Sequence, residues 1–191
     1  SMDDTDRLMV NKFWDNLTDY FNGASLNALA VVDTSSSMWG TPVYVATSLG
    51  MYCAEKANGP FAGHYISFSR NPRLVKVEGV DFCDKVDRII RTDLCENTDI
   101  EKTFDMLLNT AIRNRCSQED LPQNIIIISD MEFDEGSSTS IDYFNAINKN
   151  LGTKTKIVWW NLNSRNTTSP EMDESGNIFI SGYNPMILKL S

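Results

Sequence analysis

The sequence predicts a three-layer α/β domain, doubly wound around a mostly parallel six-stranded sheet with one antiparallel edge strand. Predicted strands alternate with predicted helices along most of the 191 residues, which is typical of parallel sheets covered by helices on both faces. Two strands, ALAVV at 28–32 and IIIIS at 125–129, are almost continuously apolar, as central strands buried on both faces should be. Two further strands that meet at Asn71 and Pro72 predict a hairpin, and therefore the antiparallel edge.

Local sequence patterns predict where the individual helices and strands begin and end. Residues 5–22 carry apolar side chains at three- and four-residue spacing up to Gly23, which predicts an amphipathic helix. Thr41 and Pro42 predict the start of a second helix that ends near Ala57. The other predicted elements are strands at 63–69, 72–79, 124–130, 156–162 and 177–181, helices at 82–91, 99–115 and 139–149, a final helix from Pro185, and an exposed loop at 164–176.

The predicted organisation is one main domain behind a short N-terminal segment. Residues 1–25 contain the first helix, which either packs on the domain or connects it to an upstream one, and residues 26–191 form the domain itself. This length is enough for one sizeable core. No apolar stretch approaches the roughly 20 residues of a membrane helix, and no secretory signal opens the chain, so no membrane partner is expected.

Charge and cysteine content restrict the possible partners and location. A net charge of -9 repels phosphate backbones, so direct nucleic-acid binding by this segment is disfavoured. The four cysteines are far apart and form no CxxC pair, which favours reduced thiols and a cytoplasmic location, although a disulfide between two of them stays open as an alternative. The four are Cys53, Cys83, Cys95 and Cys116, and the alternative disulfide joins Cys83 to Cys95.

Carboxylates and hydroxyls follow the two apolar strands, where each strand ends. Asp33 follows the first strand, and Ser35 and Ser37 come next at two-residue spacing, which turns both hydroxyls toward one point in a bending loop. Asp130 follows the second strand. Ligands of open α/β sheets bind beyond the carboxyl ends of the strands, at the point where the strand order reverses. If the two strands are neighbours, the two carboxylates meet at the same edge of the sheet.

A divalent cation is the ligand that this set of oxygen atoms favours. Thr98, just before a predicted helix, offers a third hydroxyl. Two carboxylates and three hydroxyls suit Mg²⁺ or Mn²⁺, with Ca²⁺ as a further option, and they suit zinc or copper poorly. Neutral hydroxyls leave the charge of the cation incompletely compensated. The pattern therefore predicts a binding site that gains from one more carboxylate, delivered by a partner.

These five residues, in the motif DTSSS, at Thr98 and in IIIISD, resemble the metal-ion-dependent adhesion site of von Willebrand factor type A domains. The resemblance extends over nearly the whole chain after the first helix. The segments DMEFDEG and SGYNP are similar to the domain-of-unknown-function 2828 family and to the A-type domain of Ro ribonucleoprotein autoantigens. The resemblance implies a Rossmann-like fold, Ser35 and Ser37 as direct ligands, Thr98 as a state-dependent ligand, and Asp33 and Asp130 acting partly through water.

Structural explanations compete with the metal site at several positions. A hydrogen-bonded strand-to-helix turn also accounts for Asp33 and the serines, and Asp130 also fits a cap after its strand. Thr98 and Glu101 fit a helix capping box, which would use the same hydroxyl. The acidic residues that follow Asp130 fit a solvated loop; they are Glu132, Asp134 and Glu135.

Two other side chains, Trp39 and His64, are weighed between structural and functional roles. Trp39 follows the serines and is either an exposed partner contact or a lid on the following helix. His64 opens a strand with no acid or nucleophile beside it in sequence, which indicates a structural histidine.

The sequence favours a non-catalytic interaction module over an enzyme. A partner that offers a carboxylate or a phosphate would complete the metal site. A metal-dependent phosphohydrolase would need a nucleophile or base, such as a second aspartate at the position of Ser35, and a Ser-His-Asp triad is unsupported because GxSxG is absent. The Ro resemblance implies a third interpretation, a ribonucleoprotein component whose RNA binds through regions outside this chain.

Overall fold

The computed structural model describes residues 3–16, 27–68, 72–92, 100–130, 155–162, 168–172 and 178–181. Within these ranges, seven strands form a single sheet. The strands are β1 (Ala28–Asp33), β2 (His64–Phe68), β3 (Arg73–Lys76), β4 (Asn124–Ser129), β5 (Lys156–Asn161), β6 (Thr168–Met172) and β7 (Ile178–Ser181). The helices are α1 (Asp4–Asp15), α2 (Thr41–Lys56), α3 (Phe82–Thr92) and α4 (Ile100–Arg113).

The strand order is β3-β2-β1-β4-β5-β7-β6, with a parallel centre and antiparallel edges. β1 pairs in parallel with both β2 and β4, and β5 pairs in parallel with β4 and β7. β3 runs antiparallel to β2, which confirms the predicted hairpin, and β6 runs antiparallel to β7. The prediction of six strands with one antiparallel edge was therefore wrong in its count, because an antiparallel strand closes each edge of the sheet.

The additional strand, β6, lies inside the segment predicted to be an exposed loop at 164–176. Its sequence, TSPEM, has neither apolar alternation nor β-branched enrichment beyond Thr168. Pro170 is compatible with a strand only where one side of the backbone needs no partner, as at the edge of a sheet. The pairing also shifts register between Thr168 and Glu171. Backbone pairing with β7 defines this strand, and side-chain pattern does not reveal such pairing.

Two cores on opposite faces of the sheet confirm the three-layer arrangement. Along β1 the side chains alternate, so that Ala28, Ala30 and Val32 belong to one core while Leu29 and Val31 belong to the other. The first core includes buried residues of α2 and α3, and the second includes Phe104 of α4. Every residue of β1 is buried, which explains why the five residues before Asp33 are all apolar.

Helix α2 packs closely against β1 because Gly50 removes the side chain at their contact. A Cβ atom at this position would lie 2.4 Å from Cγ2 of Val32, closer than two carbon atoms can approach without a shift. The helix starts at Thr41, as predicted, after Gly40, whose φ of +90° favours glycine. The loop between Asp33 and Thr41 is thus anchored by a buried strand on one side and a tightly packed helix on the other.

Helix α1 packs on α3 at the periphery of the first core. The ring of Trp14 stacks on that of Phe82 with 4.2 Å between centroids, and the side chain of Asn11 accepts a hydrogen bond from the backbone N–H of Cys83. The described helix ends at Asp15, with Asn16 as its C-cap, so the predicted continuation to residue 22 lies outside the described residues. The predicted helices at 139–149 and after Pro185 also lie outside them.

Candidate functional site

The ends of β1 and β4 lie side by side, as the predicted site requires. The two strands are parallel neighbours, and Val32 is in register with Ile128, so Asp33 and Asp130 follow at the same edge of the sheet. Strand order reverses here, because the chain leaves β1 for β2 on one side and later returns to β4 on the other. We call the group formed by Asp33, Ser35, Ser37, Ser129 and Asp130 the β1–β4 rim.

Two hydrogen bonds hold the carboxylate of Asp33, which is completely buried. The hydroxyl of Ser129 donates to Oδ2 across the strand pair at 2.5 Å, and the backbone N–H of Ser35 donates to Oδ1 at 2.9 Å. The donors come from two different elements, β4 and the loop after β1. Each oxygen of the carboxylate is therefore fixed by its own partner, which sets the orientation of the carboxylate plane.

Burial raises the pKa of Asp33 above its ordinary value, because the charged form loses hydration. The hydrogen bonds from Ser129 and Ser35 oppose this effect by favouring the carboxylate, and the negative charge of Asp130 adds to the increase. The two carboxylates thus lie near enough to repel each other. A cation between or beside them would relieve both the repulsion and the lost hydration.

The serine loop presents two hydroxyls from a single 3₁₀ turn, Ser36–Met38. The backbone N–H of Met38 donates to the carbonyl of Ser35 at 3.0 Å, and the fully buried side chain of Met38 joins the first core. This anchor brings the hydroxyls of Ser35 and Ser37 to 3.1 Å from each other. Ser35 is buried and Ser37 is exposed, so the pair extends from the rim to solvent.

The donor set fits a small divalent cation. Two oxygen ligands in adjacent octahedral positions of Mg²⁺, each about 2.1 Å from the ion, lie about 3.0 Å apart. The separation of 3.1 Å between Ser35 Oγ and Ser37 Oγ is that of a hydrogen bond between the two hydroxyls, and it is also close to this spacing. Hard oxygen atoms from hydroxyls and carboxylates are the ligand type that Mg²⁺ and Mn²⁺ prefer. Within the described ranges, no group of three or more His, Cys, Asp or Glu side chains is placed to hold a metal ion.

The structure brings together four of the five predicted site residues. Asp33, Ser35 and Ser37 are linked by hydrogen bonds, and the charge of Asp130 acts on Asp33. Thr98 lies outside the described residues, so its role as a ligand stays a prediction. The predicted acidic loop after Asp130 also lies outside them.

Sequence reasoning missed Ser129, although it directly contacts Asp33. The sequence does contain a signal for this residue, because Ser129 is a hydroxyl side chain that directly follows the isoleucine run of β4 and precedes Asp130. It also missed Thr34 and Ser67, whose buried hydroxyls lie 3.3 Å apart at the corresponding ends of β1 and β2. Both contacts cross between strands, so they depend on which strands are neighbours.

Trp39 is an exposed side chain beside the rim, with 61% of its surface accessible. Its backbone N–H donates to the carbonyl of Ser36 at 3.2 Å, which ties it to the serine turn. This exposure argues against a lid packed on the helix, and the partner contact stays a prediction. His64 shares a hydrogen bond of 2.9 Å between Nδ1 and the carbonyl of Ala62, as expected of a structural histidine.

Three of the four cysteines lie in the described part of the chain. Cys53, Cys83 and Cys116 are free, so the alternative disulfide at Cys83 is not formed, while Cys95 lies outside the described residues. Burial raises the pKa of the Cys53 thiol to about 12. In the part of the chain that the structure describes, every helix is too short or too polar to cross a membrane.

Comparisons with known proteins place the chain in a family without assigning it an activity. The uncharacterized protein L728 of Acanthamoeba polyphaga mimivirus is 30% identical over 198 residues, and the match covers 99% of this chain. The chain spans only 34% of the length of that protein. The conserved hypothetical protein BatB from Bacteroides thetaiotaomicron matches 87% of this chain and 85% of its own, with 16% identity and a TM-score of 0.44. The family model for the domain of unknown function DUF7788 matches residues 27–191, and the chain belongs to this family.

Proposed function

We propose that this chain is a non-catalytic interaction module that holds Mg²⁺ or Mn²⁺ at the β1–β4 rim and binds a partner through a carboxylate or phosphate group. One observation carries the proposal. Asp33 and Asp130 lie at the ends of neighbouring parallel strands, with the Ser35 and Ser37 hydroxyls 3.1 Å apart in the adjoining loop. This arrangement supports the resemblance to the adhesion site of von Willebrand factor type A domains.

The described residues would have different roles in the proposed site. Ser35 and Ser37 offer neutral oxygen atoms, and Ser37 is the one open to solvent. Asp33 is buried and held by two hydrogen bonds, so it balances charge from a fixed position, and Asp130 supplies the second negative charge. A bound divalent cation would supply the positive charge that attracts an anionic group of a partner. Thr98 remains part of the proposal as a third hydroxyl.

The exposed indole of Trp39 adds an apolar contact beside the proposed ion. Aromatic side chains at the margin of a binding site often anchor the partner, because they bury a large area with little loss of side-chain freedom. Trp39 is the C-cap of the turn that contains Ser37, so its backbone lies beside the proposed ion site and its exposed side chain is a candidate contact for the partner. We therefore propose that the partner presents an apolar group next to its acidic one.

Cooperative binding of metal and carboxylate would test this function. Mn²⁺ alone should raise the melting temperature modestly, because ligands that bind only the native state stabilise it according to occupancy. Acetate, used as the simplest carboxylate, should lower the Mn²⁺ concentration needed for half of the effect, while matched chloride should not. No shift with Mn²⁺ at any acetate concentration would overturn the proposal.

The geometry of Asp33 argues against the alternative of a phosphohydrolase. Both oxygens of this carboxylate accept protein hydrogen bonds, and its surface is inaccessible, so it is poorly placed to attack a substrate. Hydrolysis of p-nitrophenyl phosphate with and without Mg²⁺ separates the two functions. Metal-dependent turnover that disappears in Asp33→Ala would replace the interaction module by an enzyme.

The proposal also includes the family similarities, the ribonucleoprotein alternative and the cellular location. The similarity to the 2828 family and to Ro domains stays a prediction, as does the ribonucleoprotein alternative in which RNA binds outside this chain. Binding of RNA by a full-length family member at physiological salt would support that alternative, and failure to bind would remove it. The free thiols of Cys53, Cys83 and Cys116 support the proposed cytoplasmic location, since thiols persist in reducing compartments.

A further inference from the structure

We propose that Ser129 is a positioning residue that orients the carboxylate of Asp33 for the cation, an inference that rests on the proposed metal site. The hydroxyl of Ser129 lies 2.5 Å from Oδ2 of Asp33 and has no solvent-accessible surface. It comes from β4, whereas the second donor, the backbone N–H of Ser35, comes from the loop after β1. The hydrogen bond therefore links the two strand ends that carry the site.

The geometry explains why one hydroxyl would matter to an ion that it need not touch. Rotation of the Asp33 carboxylate about its Cβ–Cγ bond is opposed by the two donors, one on each oxygen. Without the Ser129 hydroxyl, one of these two hydrogen bonds would remain, the one from the backbone N–H of Ser35 to Oδ1. Residues that orient metal-binding carboxylates through hydrogen bonds commonly change metal affinity by about 10-fold to 100-fold when they are removed.

The chain provides a matched control at the other flank of β1. Ser67 is the penultimate residue of β2, and Ser129 is the last residue of β4. Both are buried, and each contacts a polar side chain at the end of β1, Thr34 or Asp33 respectively. The partner of Ser67 is the neutral hydroxyl of Thr34, and that of Ser129 is the Asp33 carboxylate. Ser67→Ala therefore removes an equally buried hydroxyl without removing a donor to Asp33.

Direct Mn²⁺ titration followed by electron paramagnetic resonance of the free ion tests the inference. Ser129→Ala should weaken Mn²⁺ binding by about 10-fold. Ser67→Ala should change it by less than about 2-fold, because the Ser67 hydroxyl pairs with Thr34 and not with Asp33. Ser129→Thr, which keeps the hydroxyl, should recover most of the affinity lost in the alanine variant. Wild-type affinity in Ser129→Ala, or an equal loss in Ser67→Ala, would overturn the positioning role.

A metal-free experiment separates this inference from the proposed function. In a double-mutant cycle, Ser129→Ala should lower the melting temperature in the wild-type background and have a smaller or reversed effect in Asp33→Ala, where its acceptor is absent. Equal shifts in both backgrounds would overturn the inference. If the cycle shows coupling and the wild type binds no Mn²⁺, the hydrogen bond is established, while the metal site and the role of Ser129 toward it are both overturned.

Discussion

Buried side-chain hydrogen bonds occur on both flanks of β1, the one toward β2 and the one toward β4. The first bond joins two neutral hydroxyls, whereas the second involves a carboxylate. On the β2 flank, two neutral hydroxyls, Thr34 and Ser67, lie 3.3 Å apart. On the β4 flank, Ser129 donates at 2.5 Å to the carboxylate of Asp33, with the charge of Asp130 nearby. Both contacts are buried at the same edge of one sheet. Among these described residues, the negative charge lies on the β4 flank, which is the one where the strand order reverses.

This difference supports the proposal that the β4 flank binds a cation. A buried hydroxyl pair satisfies its own hydrogen bonds, whereas burying a carboxylate costs free energy unless a positive charge compensates it. The raised pKa of Asp33 reflects that uncompensated cost. Strongly desolvated acids beside a second carboxylate occur preferentially at functional sites, because stability alone would favour a neutral residue there.

The largest expected effect is the loss of metal-induced stabilisation in Asp33→Ala. At a free Mn²⁺ concentration 100 times the dissociation constant, binding stabilises the native protein by about 2.7 kcal/mol. For a chain of this size, each kcal/mol corresponds to a shift of about 2–4 °C in melting temperature. Asp33→Ala should lose this gain in differential scanning calorimetry, and Ser67→Ala should keep it. A full gain in Asp33→Ala would show that the two flanks do not differ as we describe.

A smaller effect is expected from Ser37→Ala, which removes one neutral oxygen from the rim. The hydroxyl is exposed, so the metal-free variant should unfold within about 0.5 kcal/mol of the wild type. Mn²⁺ binding should weaken by about 10-fold, equivalent to about 1.4 kcal/mol, as expected for one lost contact to a charged group. Ser36→Ala is the control, since Ser36 is an exposed serine of the same turn. Equal affinities for Ser37→Ala and Ser36→Ala would exclude the Ser37 hydroxyl as a ligand.

The sequence was sufficient to predict the parts of the fold that depend on local pattern. The apolar runs of β1 and β4 predicted central strands, and the Thr41–Pro42 pair predicted the start of α2. The placement of Asp33 and Asp130 at one edge of the sheet followed as well. Once two buried strands each end in aspartate, the rule that ligands bind beyond the carboxyl ends of parallel strands brings Asp33 and Asp130 together.

Features that depend on strand neighbours could not be predicted in the same way. The contacts of Ser129 with Asp33 and of Ser67 with Thr34 require both the order of the strands and their register. Strand β6 was missed because an edge strand needs only backbone pairing, which leaves little pattern in a sequence such as TSPEM. The spacing DTSSS, by contrast, is local. A hydrogen-bonded turn was the alternative to a metal site there, and the 3₁₀ turn Ser36–Met38 is present.

The pH dependence of stability should also distinguish the charged flank. The native state holds the Asp33 proton more tightly than the unfolded chain does, because burial raises its pKa. Between the unfolded value of about 3.9 and the higher native value, the native state binds more protons, so this residue makes stability fall as pH rises. Mn²⁺ binds the ionised form, and its affinity should rise over the same interval.

Comparison of wild type with Asp33→Ala isolates this contribution in urea unfolding at a series of pH values. Other acids act in the opposite direction: hydrogen bonds from the backbone of Val80 and of Ser117 lower the pKa of Asp84 and Asp120, respectively. Stability due to those residues is present above their unfolded pKa and is lost as pH falls. The difference between the two proteins removes these shared contributions. A difference that does not vary with pH would contradict the raised pKa of Asp33.

The smallest effect is expected at the neutral flank, where the hydroxyl pair can be replaced without consequence for metal binding. Ser67→Ala alone leaves the buried Thr34 hydroxyl with one partner fewer and should destabilise the protein by about 1 kcal/mol. Adding Thr34→Val removes the second hydroxyl at nearly constant shape, so the double variant should recover much of that loss, because apolar replacement of both partners can be nearly neutral. Urea unfolding measures both steps, and the Mn²⁺-induced stabilisation should stay at the wild-type level throughout. Reduced Mn²⁺ binding in the double variant would mean that the site extends across β1 to the β2 flank, because neither substitution removes a hydrogen-bond donor to Asp33.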